Sequence, residues 1–213
     1  MRNNFAKEME ELHTELIEMG ALCETAIGEV QAALVTGDTV RAEKVRQSDA
    51  AIDSMEKKIE NKCLRLMLRE QPVASDLRKI SAALKMVTDL ERIGDQAEDI
   101  AEILTEAEDL RAAAQLVPLA EMAKAAKYMV TASIDAYVRQ ELKLANKVIE
   151  YDDVVDELFL RTRHKLVAAI DAKAGDAASL LDLFMIAKYY ERIGDHATNI
   201  AEWVVFAGTG EHK

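Results

Sequence analysis

The sequence of 213 residues predicts an all-α fold that consists of two tandem three-helix bundles, with six long helices in total. The first observation is composition: Ala, Leu, Glu and Lys are abundant, while the chain has only two prolines and 5% aromatic residues. Such a balance favours long helices over strands. The second is that stretches of helical apolar periodicity alternate with short breaks that contain Gly or Pro. The third is an internal repeat, because the second half resembles the first at an offset of about 100 residues.

The first half contains three predicted helices. The first covers about residues 3–35 and ends at the Thr-Gly-Asp break of residues 36–38, in which Gly supplies the stop signal and Asp the next N-cap. The second covers about residues 39–68 and ends before Pro72, since proline lacks the backbone N–H that helix continuation requires. The third covers about residues 75–107.

The second half contains the other three predicted helices. A polar stretch leads to Pro118, which stands near the start of the fourth helix, and this helix ends near Arg139. The fifth covers about residues 141–172. An Ala-Gly-Asp break at residues 174–176 precedes the sixth helix, which ends near Ala207. Short loops make successive helices antiparallel neighbours.

The two halves align residue by residue. At an offset of 103, five residues of the first half meet identical residues of the second: Ala33, Val35, Ala42, Lys44 and Val45. After the second helix the offset falls to 100, because the loop before the third helix is three residues longer than its counterpart. We therefore predict a first repeat at 1–107, a second repeat at 113–208 and a frayed tail at 209–213.

Charge and composition argue against several classes of protein. The net charge of −12 argues against a nucleic-acid groove, which needs excess Lys and Arg, and favours binding of cations or basic protein surfaces. No apolar run approaches the roughly 20 residues of a membrane span, and the N-terminal residues lack the apolar core of a signal peptide. We therefore expect a cytoplasmic protein without nucleic-acid partners. Cys23 and Cys63 are expected to be small core residues in reducing surroundings.

One acidic phrase occurs twice, as ERIGDQAEDIAE at residues 91–102 and as ERIGDHATNIAE at residues 191–202. Nine of the twelve positions are identical. On a helical wheel the acids of the first copy fall within an arc of about 100°, opposite the apolar stripe. Gly94 and Gly194 stand in the middle of these helices, where each costs about 1 kcal/mol relative to Ala. A small residue there suggests that another group approaches closely.

The second helix of each repeat carries a pair of aspartates at the height of this phrase. When the helices are folded back antiparallel, Asp49 lies level with about Gly94, and Asp53 lies level with about the start of the phrase. The second repeat places its own aspartates in the same way. Four carboxylates are thus predicted to converge in each half. The first cluster is Asp49, Asp53, Glu91 and Asp95, and the second cluster is Asp152, Asp156, Glu191 and Asp195.

These clusters have three interpretations. The acids can form a solvated face of an amphipathic helix, as in a helical adaptor or scaffold without functional metal. They can instead hold a hard cation in an all-oxygen shell, which would relieve the repulsion between unpaired carboxylates. Arg92 and Arg192 can also neutralise part of the charge. The third interpretation is a carboxylate-bridged di-iron enzyme. Such an enzyme needs a Glu-x-x-His pattern on two helices, and the only plausible copy in this sequence is at Glu10 and His13. Sequence motifs for a nucleophile or a P-loop are absent, so we expect no enzyme.

Three features together resemble the PhoU family of regulators associated with bacterial phosphate transport: the doubled Glu-Arg-Ile-Gly-Asp phrase, QPVASDLR at residues 71–78, and MGALCETAIGEVQAAL at residues 19–34. The resemblance covers essentially the whole chain and implies the same two-bundle fold. It also implies carboxylate-bound metal ions, such as iron, manganese, magnesium or zinc. The implied ligand motifs are Glu91 with Asp95 and Glu191 with Asp195, with a further position at Asp99 and Asn199.

The same resemblance implies a regulator rather than a catalyst. It implies that the chain restrains the phosphate-starvation response. It also implies a link between the phosphate ABC transporter, through its ATPase subunit, and the phosphate sensor histidine kinase. A homodimer and a peripheral association with a membrane complex are also implied. Because Asp99 is replaced by Asn199 in the second copy, the two clusters are expected to differ there.

Overall fold

The structure is a computed structural model that describes residues 2–70 and 72–211. Within these ranges the secondary structure is entirely helical, which confirms the predicted all-α fold. The helices are α1 (Arg2–Thr36), α2 (Thr39–Glu70), α3 (Ala74–Glu106), α4 (Arg111–Ala114), α5 (Leu119–Arg139), α6 (Leu142–Asp171) and α7 (Ala177–Thr209). The six long helices match the predicted ones, and the short α4 forms within the polar stretch between the repeats.

The helix ends follow the predicted turn chemistry. Gly37 has a positive φ of 71° at the end of α1, and the Asp38 side chain accepts a hydrogen bond from the backbone N–H of Arg41 at 3.0 Å. Asp176 caps α7 in the same way, by accepting from the N–H of Ser179 at 3.0 Å. The first Gly-plus-Asp break therefore acts as the sequence indicates. In the second break only the aspartate does so, because α6 ends at Asp171 and the positive φ of 53° after it belongs to Lys173 rather than to Gly175.

The C-terminal end differs slightly from the predicted frayed tail. Helix α7 continues through Thr209, and Gly210 closes it with a positive φ of 84°. Residues 212 and 213 of the predicted tail lie outside the described residues, as does Gln71 of the loop before α3. The repeat boundaries at 1–107 and 113–208 stay a prediction.

The two three-helix bundles pack side by side through four of their helices. Helix α3 packs against α7, and α1 packs against α5, while α2 covers α1 and α3 and α6 covers α5 and α7. Helices α3 and α7 are antiparallel, because Asp89 of α3 bonds to Asn199 of α7, whereas Asp99, further along α3, lies near Arg192, which comes earlier in α7. The outward-lying α2 and α6 therefore each flank one copy of the repeated phrase.

The core runs continuously through both repeats. The predicted apolar stripe of α3 is buried, including Leu90, Ile93 and Ile100. Cys23 and Cys63 are buried free thiols, which confirms their predicted core position. Among the described residues, no helix combines the length and apolar character that crossing a membrane requires.

Candidate metal centre

Three carboxylates of the first cluster come together at the contact between α2 and α3. Asp49 and Asp53 lie four residues apart on α2 and therefore project from the same side of that helix. Each offers one ligand atom, and with an oxygen of Asp95 on α3 all of these atoms lie within 4.8 Å of one another. The antiparallel register deduced from the sequence brings these three residues together as expected, whereas Glu91, the fourth predicted member, does not enter the compact group.

Gly94 permits this close approach of the two helices. A Cβ atom at Gly94 would stand 2.9 Å from Cδ1 of Ile52 and 3.1 Å from Oδ1 of Asp49. In the second repeat, a Cβ atom at Gly194 would stand 3.3 Å from Cγ1 of Val155. The repeated glycine therefore leaves room for the aspartate-bearing helix, and the space is tighter in the first repeat.

Asp49 is the member of this group that has a buried oxygen atom without a hydrogen bond. Its Oδ1 atom is buried and receives no hydrogen bond from any described residue. Burial raises the pKa of Asp49 from 3.8 to about 6, and the negative charges of Glu98, Asp53 and Asp95 add to the rise. A buried carboxylate oxygen among like charges is a site that a cation would stabilise.

Arg92 neutralises the outer edge of the first cluster. Its guanidinium donates a hydrogen bond to Oδ2 of Asp95 at 2.8 Å, and its Nε atom lies 3.4 Å from Oε2 of Glu91. Burial and the charge of Asp95 nevertheless raise the pKa of Glu91, although Arg92 opposes the rise. The arginine side chain is 53% exposed, so it pairs from the solvent side and leaves Oδ1 of Asp49 without a hydrogen bond.

Two further acids belong to this environment and were not among the predicted ligands. Glu98 is the charged neighbour with the largest effect on the pKa of Asp49, and Glu56 contributes to the raised pKa of Glu91. Glu98 lies on the acidic face of the wheel, and Glu56 follows Asp53 by three residues. The internal repeat does not single them out, because their counterparts in the second repeat, Phe159 and Thr198, are not acidic.

The second cluster is more open. Oδ1 of Asp152 would lie 3.4 Å from a Cβ atom at Gly194, so the aspartate–glycine contact is repeated. Burial raises the pKa of Asp152 to about 6, the charges of Asp195 and Asp156 add to the rise, and the Thr198 hydroxyl opposes it. Asp195 itself is exposed, whereas Asp95 is half-buried. Across the described ranges, the second cluster forms no group as compact as that of Asp49, Asp53 and Asp95.

A lysine side chain contacts the second cluster, and the first repeat has no lysine at the corresponding position. The Lys188 ammonium forms an ion pair with Glu191. Burial and the charge of Glu191 raise the pKa of Asp195, and the positive charge of Lys188 opposes the rise. The same ammonium lies 5.4 Å from the centre of the Phe159 ring. The corresponding residue of the first repeat is Thr88.

Asp99 and Asn199 lie where the two repeats meet. The Asn199 amide donates a hydrogen bond to Oδ1 of Asp89 on α3 at 3.1 Å, and Nδ1 of His196 lies 2.9 Å from the same oxygen. Burial and the charge of Asp95 raise the pKa of Asp99, while Arg192 on α7 opposes the rise. Neither position enters the compact group, so their expected role as ligands still rests on the family resemblance.

The histidine of the enzyme alternative lies elsewhere. His13 packs edge-on against Tyr137, with 5.4 Å between the ring centroids, and burial lowers its pKa. The compact group among the described residues contains carboxylates only. A donor set of this kind suits hard cations with oxygen ligands rather than a histidine-containing oxidase centre.

Comparison with known proteins adds four similarities, each of which covers most of the chain. A family model described as the PhoU domain matches residues 16–104 and residues 119–204. A relative from Clostridium acetobutylicum, named phosphate-specific transport system accessory protein PhoU homolog, is 38% identical over 99% of this chain and 96% of its own length. Two crystal structures are similar in fold along almost their full length. PhoU from Pseudomonas aeruginosa has a TM-score of 0.88 at 33% identity and covers 97% of this chain and 100% of its own. The phosphate transport system regulatory protein PhoU from Streptococcus pneumoniae has a TM-score of 0.90 at 25% identity and covers 98% and 99%.

Proposed function

The chain belongs to the PhoU family, and from this premise we propose that it is a non-enzymatic regulator of phosphate uptake that binds metal ions through its carboxylates. Family membership supports the regulatory role, since the relatives are named as accessory and regulatory proteins of phosphate transport. The geometry of the first cluster supports the metal-binding role.

The main support for metal binding is the compact group of carboxylates at the contact of α2 and α3. Oxygen atoms of Asp49, Asp53 and Asp95 lie within 4.8 Å of one another, and the buried Oδ1 of Asp49 has no hydrogen bond from the described residues. Burial raises the pKa of Asp49, and repulsion from the neighbouring carboxylates adds to the rise. The residues therefore fit a cation with an oxygen shell such as Mg²⁺, Mn²⁺ or iron.

The residues that would hold the cation come from two helices. Asp49 and Asp53 of α2 and Asp95 of α3 would be ligands, and Glu91 at the edge of the group would complete or orient the shell. The ion would supply positive charge between two helices that otherwise face each other with negative charge. Binding would thereby stabilise the packing of α2 on α3, because only the folded chain brings these carboxylates together.

We further propose that the regulator works through proteins of the phosphate transport system. The expected partners are the ATPase subunit of the phosphate ABC transporter and the phosphate sensor histidine kinase. Contact with that subunit would place the chain at the cytoplasmic face of the transporter, peripheral to the membrane. The homodimer implied by the family resemblance is part of this proposal, and light scattering of the purified chain tests it.

The regulatory role is tested by deleting the gene in its host and reading a phosphate-starvation promoter at high phosphate. The expected result is that the promoter becomes active in the deletion strain and is silenced again by the wild-type gene. A pull-down with the ATPase subunit as bait tests the contact, and capture of the full chain is expected. A silent promoter after deletion, together with no capture, would contradict the phosphate assignment and favour a helical adaptor for another transporter.

The metal-binding role is tested on the purified protein after it has been loaded with Mn²⁺ or Fe²⁺ and dialysed. Wild-type protein is expected to retain metal and to melt at a higher temperature than the metal-free form. Asp49→Asn with Asp95→Asn should lose both effects. Asp135→Asn with Asp171→Asn is a matched control, because these aspartates lie outside both clusters. Equal and negligible metal in all three proteins would favour the scaffold without functional metal.

A further inference from the structure

We propose that the outer face of the α6–α7 hairpin is a docking surface for an acidic amphipathic helix of a partner protein. This surface, which we call the hairpin strip, is made of exposed side chains near the tip of the second repeat: Leu160, Arg163, Val167 and Ile170 of α6, with Leu181 and Met185 of α7. Its apolar members are between 41% and 59% exposed. The proposal is independent of metal binding, because the strip contains no carboxylate of either cluster.

The α6 part of the strip lies on one side of that helix. Arg163 follows Leu160 by three residues and precedes Val167 by four, and Ile170 follows Val167 by three. Residues at this spacing are neighbours on a helix surface. The guanidinium of Arg163 is therefore set among the exposed apolar side chains of α6.

The α7 part of the strip adjoins the α6 part. A Cβ atom at Gly194 would stand 3.3 Å from Val155 of α6, which fixes the antiparallel register of the two helices. Val167 comes twelve residues after Val155, and Leu181 comes thirteen before Gly194, so these two lie at the same height near the tip. Met185 follows Leu181 by one turn. Single exposed apolar residues are common, but a contiguous group of them marks an interaction site.

The first repeat shows that the fold does not require this apolar surface. Three members of the strip have polar or charged counterparts there: Leu160, Leu181 and Met185 correspond to Lys57, Ser81 and Lys85. Helices α2 and α3 nevertheless form the same kind of antiparallel pair as α6 and α7. Because the exposed apolar residues add little to the core, their presence in the second repeat points to contact with another molecule.

Arg163 gives the strip its preference for negative charge. Its counterpart in the first repeat is Glu60, so the sign of the charge is reversed between the repeats. Among the residues that the structure describes, the exposed Arg163 has no carboxylate partner. Residues 160–175 contain four Lys or Arg and a single acid, Asp171, in a chain whose net charge is −12. A partner that covers the strip would have to offer a carboxylate to Arg163, because covering an unpaired guanidinium is costly.

The shape of the surface fits a helix. On the inner side of the same pair, α5 packs against both α6 and α7, while the strip on the outer side stays exposed. From Leu160 to Ile170 the strip is about 15 Å long, which matches about three turns of a partner helix. A helix with apolar residues at i, i+3, i+4 and i+7 would lay them between α6 and α7, as in other helix-in-groove contacts.

The surroundings favour a protein helix over an anionic bilayer. Asp156 of the second cluster lies one turn before Leu160, so an acidic region borders the strip. A flat lipid surface would cover this region together with the strip, and its phosphates would meet the carboxylates of the cluster. A helix of a few turns can end before the cluster and place its carboxylate beside Arg163.

The test is fluorescence anisotropy of the full-length chain with a labelled helical peptide of about 18 residues, in which Leu forms one face and Glu the rest. Wild-type protein is expected to bind it. Leu181→Ser and Met185→Lys introduce the first repeat's own residues and should each weaken binding by about ten-fold or more. Val40→Ser is the matched control and should leave binding unchanged, because Val40 is 65% exposed but belongs to the first repeat.

The charge preference is tested with Arg163→Glu and with a second peptide that has Gln in place of Glu. Arg163→Glu should weaken binding of the Glu peptide by about ten-fold or more, whereas Arg163→Lys should largely preserve it. Binding of the Gln peptide should be the same for wild type and Arg163→Glu, which also shows that the variant is folded.

Three results would overturn the inference. The first is no binding of the Glu peptide, or binding that changes at positions 163, 181 and 185 leave unaffected. The second is a dimer that Leu181→Ser converts to a monomer in light scattering, because a second copy of the chain would then cover the strip. The third is binding to vesicles of phosphatidylserine and phosphatidylcholine that Leu181→Ser abolishes, because the strip would then face a bilayer.

Discussion

Gly94→Ala tests whether the close approach of α2 to α3 explains the repeated glycine. Alanine is favoured over glycine in a helix interior by about 1 kcal/mol, so the change would be stabilising if space were available. The new Cβ atom would stand 2.9 Å from Cδ1 and 3.1 Å from Cγ2 of the buried Ile52, and 3.1 Å from Oδ1 of Asp49. Overpacking of a buried site costs about 1–3 kcal/mol, which equals or exceeds the gain in helix propensity.

The matched variant Gly194→Ala separates the cost of overpacking from the gain in helix propensity, because both substitutions bring the same gain in helix propensity. Its Cβ atom would stand 3.3 Å from Cγ1 of Val155 and 3.4 Å from Oδ1 of Asp152, distances that small shifts can relieve. We expect Gly94→Ala to be less stable than Gly194→Ala by about 1–2 kcal/mol in the free energy of unfolding. The assay is chemical denaturation of both variants in chelator. Equal stabilisation of both would refute the reasoning.

Three other predictions follow from the charged groups. In the metal-free chain the raised pKa of Asp49 means that the folded state binds its proton more tightly than the unfolded state, so this group makes stability fall as pH rises from about 4 to about 6. Thermal melts across this range in chelator should therefore show a smaller fall for Asp49→Asn, and an identical fall would contradict the cause given for the shift. Lys62→Met should lower the free energy of unfolding by about 3 kcal/mol, because Lys62 and Glu15 form a 2.8 Å ion pair with both side chains at most 10% exposed. Denaturation should show partial recovery when Glu15→Leu is added, and full stability of the single variant would count against a buried pair. Asp89→Ala should cost about 2 kcal/mol in the same assay, since two side chains of α7 lose their shared acceptor, and an unchanged midpoint would show that this contact between the repeats is not stabilising.

The sequence was sufficient to predict the long helices and the register of the first cluster. Helix ends depend on local signals that the sequence contains. Gly37, for example, has a positive φ at the end of α1, where the sequence predicts the helix to stop. The register of α2 against α3 follows from antiparallel packing across a short loop, and it correctly placed Asp49 beside Gly94.

The relation between the repeats could not be predicted in this way. The sequence indicates that Asp99 and Asn199 differ, but not that α3 and α7 pack against each other and bring the Asn199 amide to Asp89. Such contacts depend on tertiary packing between distant segments, which periodicity does not encode. The position of Lys188 beside Phe159 could not be predicted for a related reason, because it requires knowledge of where α6 lies relative to α7.

Crystals of the wild-type chain grown with Mn²⁺ offer the most direct test of the central claim, through anomalous diffraction at the manganese absorption edge. The account predicts an anomalous peak within bonding distance of oxygen atoms of Asp49, Asp53 and Asp95, and a weaker peak or none at the second cluster. A peak only beside Asp152 and Asp195, or none at either cluster, would contradict it.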